Sequence, residues 1–86
     1  MKILKTEGRR NLCGERIRGS RKARIPAITQ KKLAERLELE GVLLDRMAIN
    51  RIEAGHRFVA DFELVAIAHV LGVSVNWLLF GQDHEI

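Results

Sequence analysis

Asp45-Arg46-Met47-Ala48-Ile49-Asn50-Arg51-Ile52-Glu53-Ala54-Gly55 reads as a short helix with both ends marked. Asp45 is a good N-cap, because its short side-chain oxygen can accept from the free amides of the first turn. Gly55 suits the left-handed residue just past a helix end. At about 100° per residue, Ile49 and Ile52 share one side of the wheel, with Met47, Asn50, Arg51 and Ala54 on the other. The isoleucine side can bury. The outer side offers forked donors, an amide and methyl groups, which is what a helix needs to read guanine, adenine and thymine in a DNA major groove. Taken alone, the same helix is equally a surface helix with solvated polar groups.

The composition narrows the choice. Eighty-six residues with 47% hydrophobic content make one domain with one modest core. No second domain to sense a ligand is expected. No apolar run approaches the roughly 18 residues of a membrane span, and the basic Met1–Arg10 stretch lacks the apolar centre of a signal peptide. The single cysteine, Cys13, excludes an internal disulfide framework and suits a reducing, cytoplasmic setting. Charge is unevenly placed. Residues 1–36 hold twelve Lys/Arg against three acids, and residues 37–86 three Arg against eight acids, so a segment of +9 precedes one of −5. That asymmetry points to a polyanion or an anionic surface as partner.

Outward from the central stretch, the pattern stays helical. Residues 1–11 lack periodicity and read as a frayed, basic arm. Leu12 to Arg24 reads as a first helix, in which Gly14 and Gly19 each cost about 1 kcal/mol relative to Ala. Pro26 forbids its continuation and pushes Ile25 towards extended geometry. Thr29 caps a second helix, with Ile28 before the cap placed to staple onto Leu33. The apolar spacing runs on through Ala34 and Leu37, and Gly41 ends it. Asp61 to Leu71 is apolar nearly all round, as a helix central to a core would be, and Gly72 closes it. Ser74 caps a fifth helix, Val75 to Phe80, which Gly81 ends. No segment alternates with period two, so no sheet is expected, and residues 82–86 are left as a short polar tail.

Three segments now stand in order: Thr29-Gln30-x-x-Leu33-Ala34, Arg51-Ile52-Glu53-Ala54-Gly55, and Leu71-Gly72-Val73-Ser74-Val75-Asn76-Trp77-Leu78-Leu79. Together they resemble the Cro-like (XRE-type) helix-turn-helix family of phage repressors and bacterial regulators. The resemblance runs from about Leu12 to Gly81, so residues 12–81 are the expected DNA-binding domain. It implies an all-α, compact five-helix bundle with a lambda-repressor-like helix-turn-helix, in which the Asp45 helix is the recognition helix. Members are mostly dimeric transcriptional regulators. The sequence departs from the family pattern in a longer turn before the recognition helix, a longer loop around Pro26, and Ser20 and Ala60. These last two sit where a core leucine and a capping Ser or Thr are usual. A missing cap costs roughly 1–2 kcal/mol, and a truncated core side chain roughly 2–5 kcal/mol.

The resemblance also assigns roles. Arg46, Met47 and Arg51 match positions that commonly reach base edges, with Asn50 beside them. Gln30, at the amide-rich start of the second helix, is expected on a DNA phosphate, with Lys31 and Arg57 as neighbours. The plainer alternative for each is a solvated side chain. Arg21 and Glu53 match a partly buried ion pair between helices one and three. Trp77 is expected to be structural. Leu79 and Phe80 are candidates for a dimer contact, because a small chain rarely leaves large apolar groups idle. His56, His69 and His84 are too dispersed for a metal signature, and no cofactor is implied. No phosphate loop or nucleophile elbow appears, so catalysis has no support. The expected function is sequence-specific binding of double-stranded DNA by a homodimer on a two-fold operator, most simply as a repressor. Two alternatives stay open: a protein-binding module such as an antitoxin or adaptor, and a non-specific nucleic-acid binder.

Overall fold

A computed structural model describes residues 6–81. It has five helices: α1 (Gly14–Ala23), α2 (Gln30–Leu39), α3 (Arg46–Glu53), α4 (Asp61–Leu71) and α5 (Val75–Phe80), with no strand among the described residues. The caps form as their residue types dictate. Thr29 Oγ1 accepts from Lys32 N at 3.0 Å, Asp45 Oδ1 from Ala48 N at 2.7 Å and Ser74 Oγ from Trp77 N at 2.9 Å. Each satisfies one amide that the first turn leaves without an intrahelical partner.

α4 is the centre of the packing, with α1, α2 and α5 against it, while α3 packs on α1 and α2. Ile17, Leu33, Leu37, Ile49, Ile52, Ile67 and Leu78 are almost wholly buried and form one core. Ile28 and Leu33, on either side of the Thr29 cap, are both in it. The expectation that α4 is apolar on all sides because it is buried on all sides needs correcting. Phe62 is 64% and Val65 58% exposed, three positions apart on one face that nothing among the described residues covers.

The N-terminal third is also more ordered in role than its sequence suggests. α1 starts at Gly14, not Leu12, because Asn11 Oδ1 accepts from Gly14 N at 2.8 Å and stands in for the cap that Cys13 does not provide. Gly14 is buried against the Ile52 carbonyl, and a Cβ there would collide with that oxygen. It is a close-approach glycine that lets α1 and α3 touch, and not the helix weakener its sequence position implies. Gly19 has open space around it and fits the sequence reading. Ser20 is only half-buried, and its hydroxyl donates to Arg16 O at 2.7 Å, so no polar group is stranded where a leucine would sit.

Three arginines from this segment reach across the fold to the C-terminal ends of three helices. Arg9 donates to Glu53 O and Ala54 O at the end of α3, at 2.8 and 3.3 Å. Arg24 donates to Leu71 O at the end of α4, at 2.9 Å. Arg16 donates to Leu78 O and Leu79 O at the end of α5, both at 3.3 Å. Helix C-termini carry unsatisfied carbonyls and partial negative charge, so a guanidinium there is doubly favourable. Part of the +9 surplus is therefore spent inside the molecule. Residues 9–11 are a strap docked on the end of α3 and not part of a frayed arm; residues 1–5 and the 82–86 tail lie outside the described residues.

Candidate nucleic-acid interface

α3 presents Arg46, Met47, Asn50 and Arg51 outwards, all exposed and together lining an open groove of about 440 Å³. Its other side is fixed by the buried Ile49 and Ile52. The wheel that puts the two isoleucines together sets Met47, Asn50 and Arg51 opposite them, and Arg46 joins that surface from the first turn.

The inner edge of α3 is held by charge. Arg21 Nε donates to Glu53 Oε2 at 2.9 Å and Nη2 to Oε1 at 2.8 Å, while Nη1 reaches Ile28 O at 3.0 Å. Both side chains are under a tenth exposed. A bidentate fork with the spare donor on a carbonyl is the geometry in which a buried ion pair is tolerable. Gln30 Nε2 joins it, donating to Glu53 Oε1 at 3.1 Å. Gln30 therefore has a structural partner as well as an outward position. It lines a notch of about 290 Å³ with Arg18, Lys22, Arg21, Asn50, Glu53 and Ala54. Arg18 and Lys22 are exposed cations that sequence reading counted only as part of a basic helix; their i, i+4 spacing was the available signal. Lys31 is exposed at the first turn of α2.

Arg57 has a different setting from the one expected. Its two terminal nitrogens fork onto Glu63, at 2.9 and 3.1 Å, and Nη1 also donates to Phe58 O at 2.9 Å. A phosphate would have to share this guanidinium with Glu63. The Arg57 hydrogen bonds, ahead of the backbone amide of Ala60, hold the Glu63 carboxyl below its ordinary 4.5. The same contact pushes the Arg57 guanidinium up. Glu63 Oε1 accepts from Ala60 N at 2.9 Å, which supplies half of a capping box; Ala60 has no oxygen to supply the other half.

Leu79 and Phe80 are half-buried, and Leu79 packs against the core, as does Trp77. The most exposed large apolar side chains lie elsewhere: Ile25, Leu39, Leu43, Met47, Phe58, Phe62 and Val65. His56 and His69 are apart, with His69 Nδ1 3.2 Å from Glu40 Oε1, and His84 lies outside the described residues. No cluster of three or more metal-ligating side chains occurs among the described residues. None of their helices is long and apolar enough to cross a membrane.

A capped helix, a tight packing partner and a protruding second helix with a polar outer face define the helix-turn-helix class, here within a lambda-repressor-like bundle. The chain belongs to the Helix-turn-helix family HTH_3, whose model matches residues 21–78. Its structure is similar to that of the P22 c2 repressor protein, solved in complex with synthetic operator 9T in the presence of Tl+. The TM-score is 0.68, with 29% identity over 84% of this chain and 98% of that one. No curated protein sequence matches the chain significantly.

Proposed function

We propose that this chain is a sequence-specific DNA-binding regulator of transcription, acting as a homodimer on a two-fold operator and repressing by occluding polymerase. The observation that carries this reading is the outer face of α3. Four side chains with base-reading chemistry converge on one open groove, while the inner face is fixed by core packing and by the Arg21–Glu53 fork. A reading surface needs that combination, because a base edge is recognised only when the donor arrives in a set orientation. The likeness to a repressor solved with an operator supports the same reading. In it, Arg46, Met47, Asn50 and Arg51 meet base edges. Gln30 and Lys31 hold phosphate, Arg57 does so only by sharing its Glu63 partner, and Leu79 and Phe80 contribute to the dimer.

Selection of random duplex DNA by the purified protein, followed by sequencing, tests the proposal. Enrichment of an inverted repeat with half-sites about one helical turn apart is the expected result. Binding without enrichment would leave only a non-specific nucleic-acid binder. One observation favours a protein partner instead: Leu39 and Leu43, in the segment leading to α3, are 89% and 81% exposed. Absence of any duplex binding would move the assignment to that reading. The dimer has its own check. Phe80→Glu should dissociate it in light scattering while leaving helicity unchanged, whereas loss on Phe62→Glu alone would move the contact to α4.

A further inference from the structure

The C-terminal end of α3 is where a helix lying in a DNA groove would repel the backbone, since its last carbonyls point outwards and carry partial negative charge. Here three consecutive residues cover it. Arg9 takes Glu53 O and Ala54 O, Arg10 N donates to Gly55 O at 2.8 Å, and Asn11 Nδ2 donates to Ile52 O at 3.0 Å and to Arg57 O at 2.9 Å. Four successive carbonyls are thereby satisfied. Gly55 makes room for this: at φ 82° it turns the chain, and a Cβ on it would lie 2.6 Å from Arg9 Cζ. The strap leaves the Arg10 side chain exposed, with its guanidinium carbon 5.7 Å from the centre of the Phe58 ring. An aromatic face at that distance steadies a cation. Arg10, Arg51 and His56, with Gly8 and Gly55, line an open notch of about 430 Å³, and no carboxylate lines it. Arg9 lies 3.7 Å from Glu15, which is itself mostly exposed.

We propose that this notch receives a phosphodiester group of the DNA backbone, with Arg10 as the contact and Arg9 as the positioning residue. The inference rests on the DNA-binding reading above and adds a second anchor to it. The notch containing Gln30, Arg18 and Lys22 shares Asn50 with the reading groove; the strap notch shares Arg51 with it. The α3 groove thus adjoins one basic notch at Asn50 and another at Arg51, and a major groove is bordered by two phosphate strands. Arg9 neutralises the carbonyl end of α3 and fixes the backbone from which Arg10 projects. In this role it lets an anion approach an edge that would otherwise repel one.

The test measures binding of the full chain to its selected duplex across a salt series, with a thermal melt on each variant. Arg10→Ala is expected to flatten the log–log salt slope by about one and to weaken affinity about fivefold at physiological salt. It should leave base preference and melting temperature unchanged, and Arg10→Lys should retain the slope. Arg9→Ala is expected to lose the same slope, and the Arg9→Ala/Arg10→Ala pair to lose no more than either alone. Wild-type binding that Arg10→Ala leaves unchanged in affinity and slope overturns the notch and spares the parent reading. A melting temperature that falls in Arg9→Ala with no change of slope overturns the positioning role. A wild-type chain that binds no duplex overturns both the notch and the reading beneath it.

Discussion

Gln30 Nε2 lies 3.1 Å from Glu53 Oε1, the same carboxylate oxygen that Arg21 Nη2 approaches at 2.8 Å. One buried carboxylate therefore sets both the seat of α3 and the pose of a side chain at the start of α2. Removing it should be felt in stability and in binding together. Glu53→Ala is expected to cost about 3–5 kcal/mol, because it strands a buried guanidinium. The double change Arg21→Met with Glu53→Leu should cost much less. Denaturant titration of the full double-mutant cycle measures the coupling, and small additive losses would show that the pair is not coupled.

Two glycines of α1 should respond in opposite directions. Gly19→Ala meets open space and should stabilise the fold by about 0.5–1 kcal/mol through helix propensity. Gly14→Ala drives a methyl into the Ile52 carbonyl and should destabilise it by about 1–3 kcal/mol or more. Thermal melts of the two variants decide this. Equal gains from both would mean that α1 and α3 are not in the contact described.

The start of α4 offers a gain and a pH signature. Ala60→Ser completes the half-built capping box and should add about 1 kcal/mol, raising the melting temperature by about 4–8 °C. Glu63 titrates below its ordinary 4.5 in the folded protein. A depressed carboxyl contributes stability that is fully present above that value and is lost as pH falls through the folded one. The destabilisation caused by Arg57→Ala should therefore be constant at pH values well above 4.5 and shrink as the pH falls from there through the folded value. Denaturation midpoints at both ends of that range test it; a pH-independent difference would rule out the pair as its source.

Readout and anchoring should separate cleanly. Arg51→Ala is expected to lose about 1–3 kcal/mol of discrimination at one or two base pairs. Lys31→Ala should weaken binding to all sequences alike and flatten the salt slope by about one. Repeating the site selection with each variant distinguishes them, since a base edge carries sequence information and a phosphate does not. Unaltered preference in Arg46, Met47, Asn50 and Arg51 alanine variants would mean that α3 is not the reading element.

Much of this architecture is legible along the chain because it is written locally. Caps at Thr29, Asp45 and Ser74 and breaks at Gly41, Gly55, Gly72 and Gly81 mark helix ends within a few residues, and the 3.6-residue period marks their inner faces. The outer face of α3 follows from the same period. What stayed hidden depends on contacts with no local period. Nothing around Gly14 announces that Ile52 O will press on it. Nothing near Arg9, Arg16 or Arg24 distinguishes a cation that will bond a carbonyl from one left in solvent, so they read as part of a basic surplus. Arg57 reads along the chain as a phosphate neighbour, while its fork onto Glu63 arises only once the loop closes. The exposure of Phe62 and Val65 was masked because a helix apolar on every side gives no moment from which to choose its outer face.

The three arginines that close the ends of α3, α4 and α5 also set a timetable. Their bonds span 44, 45, 47, 62 and 63 residues of sequence. Arg9, Arg16 and Arg24 leave the ribosome well ahead of the carbonyls they bond. At ordinary elongation rates of about 5–20 residues per second, Arg16 waits roughly 3–12 s before the end of α5 has been made. A bundle of local helices would otherwise be a fast folder, and these long-range closures raise its contact order towards that of slower topologies. The nascent chain thus has the partners for the end of α3 before those for α4 and α5: Arg9 can bond Glu53 O and Ala54 O before Leu71, Leu78 and Leu79 have been made.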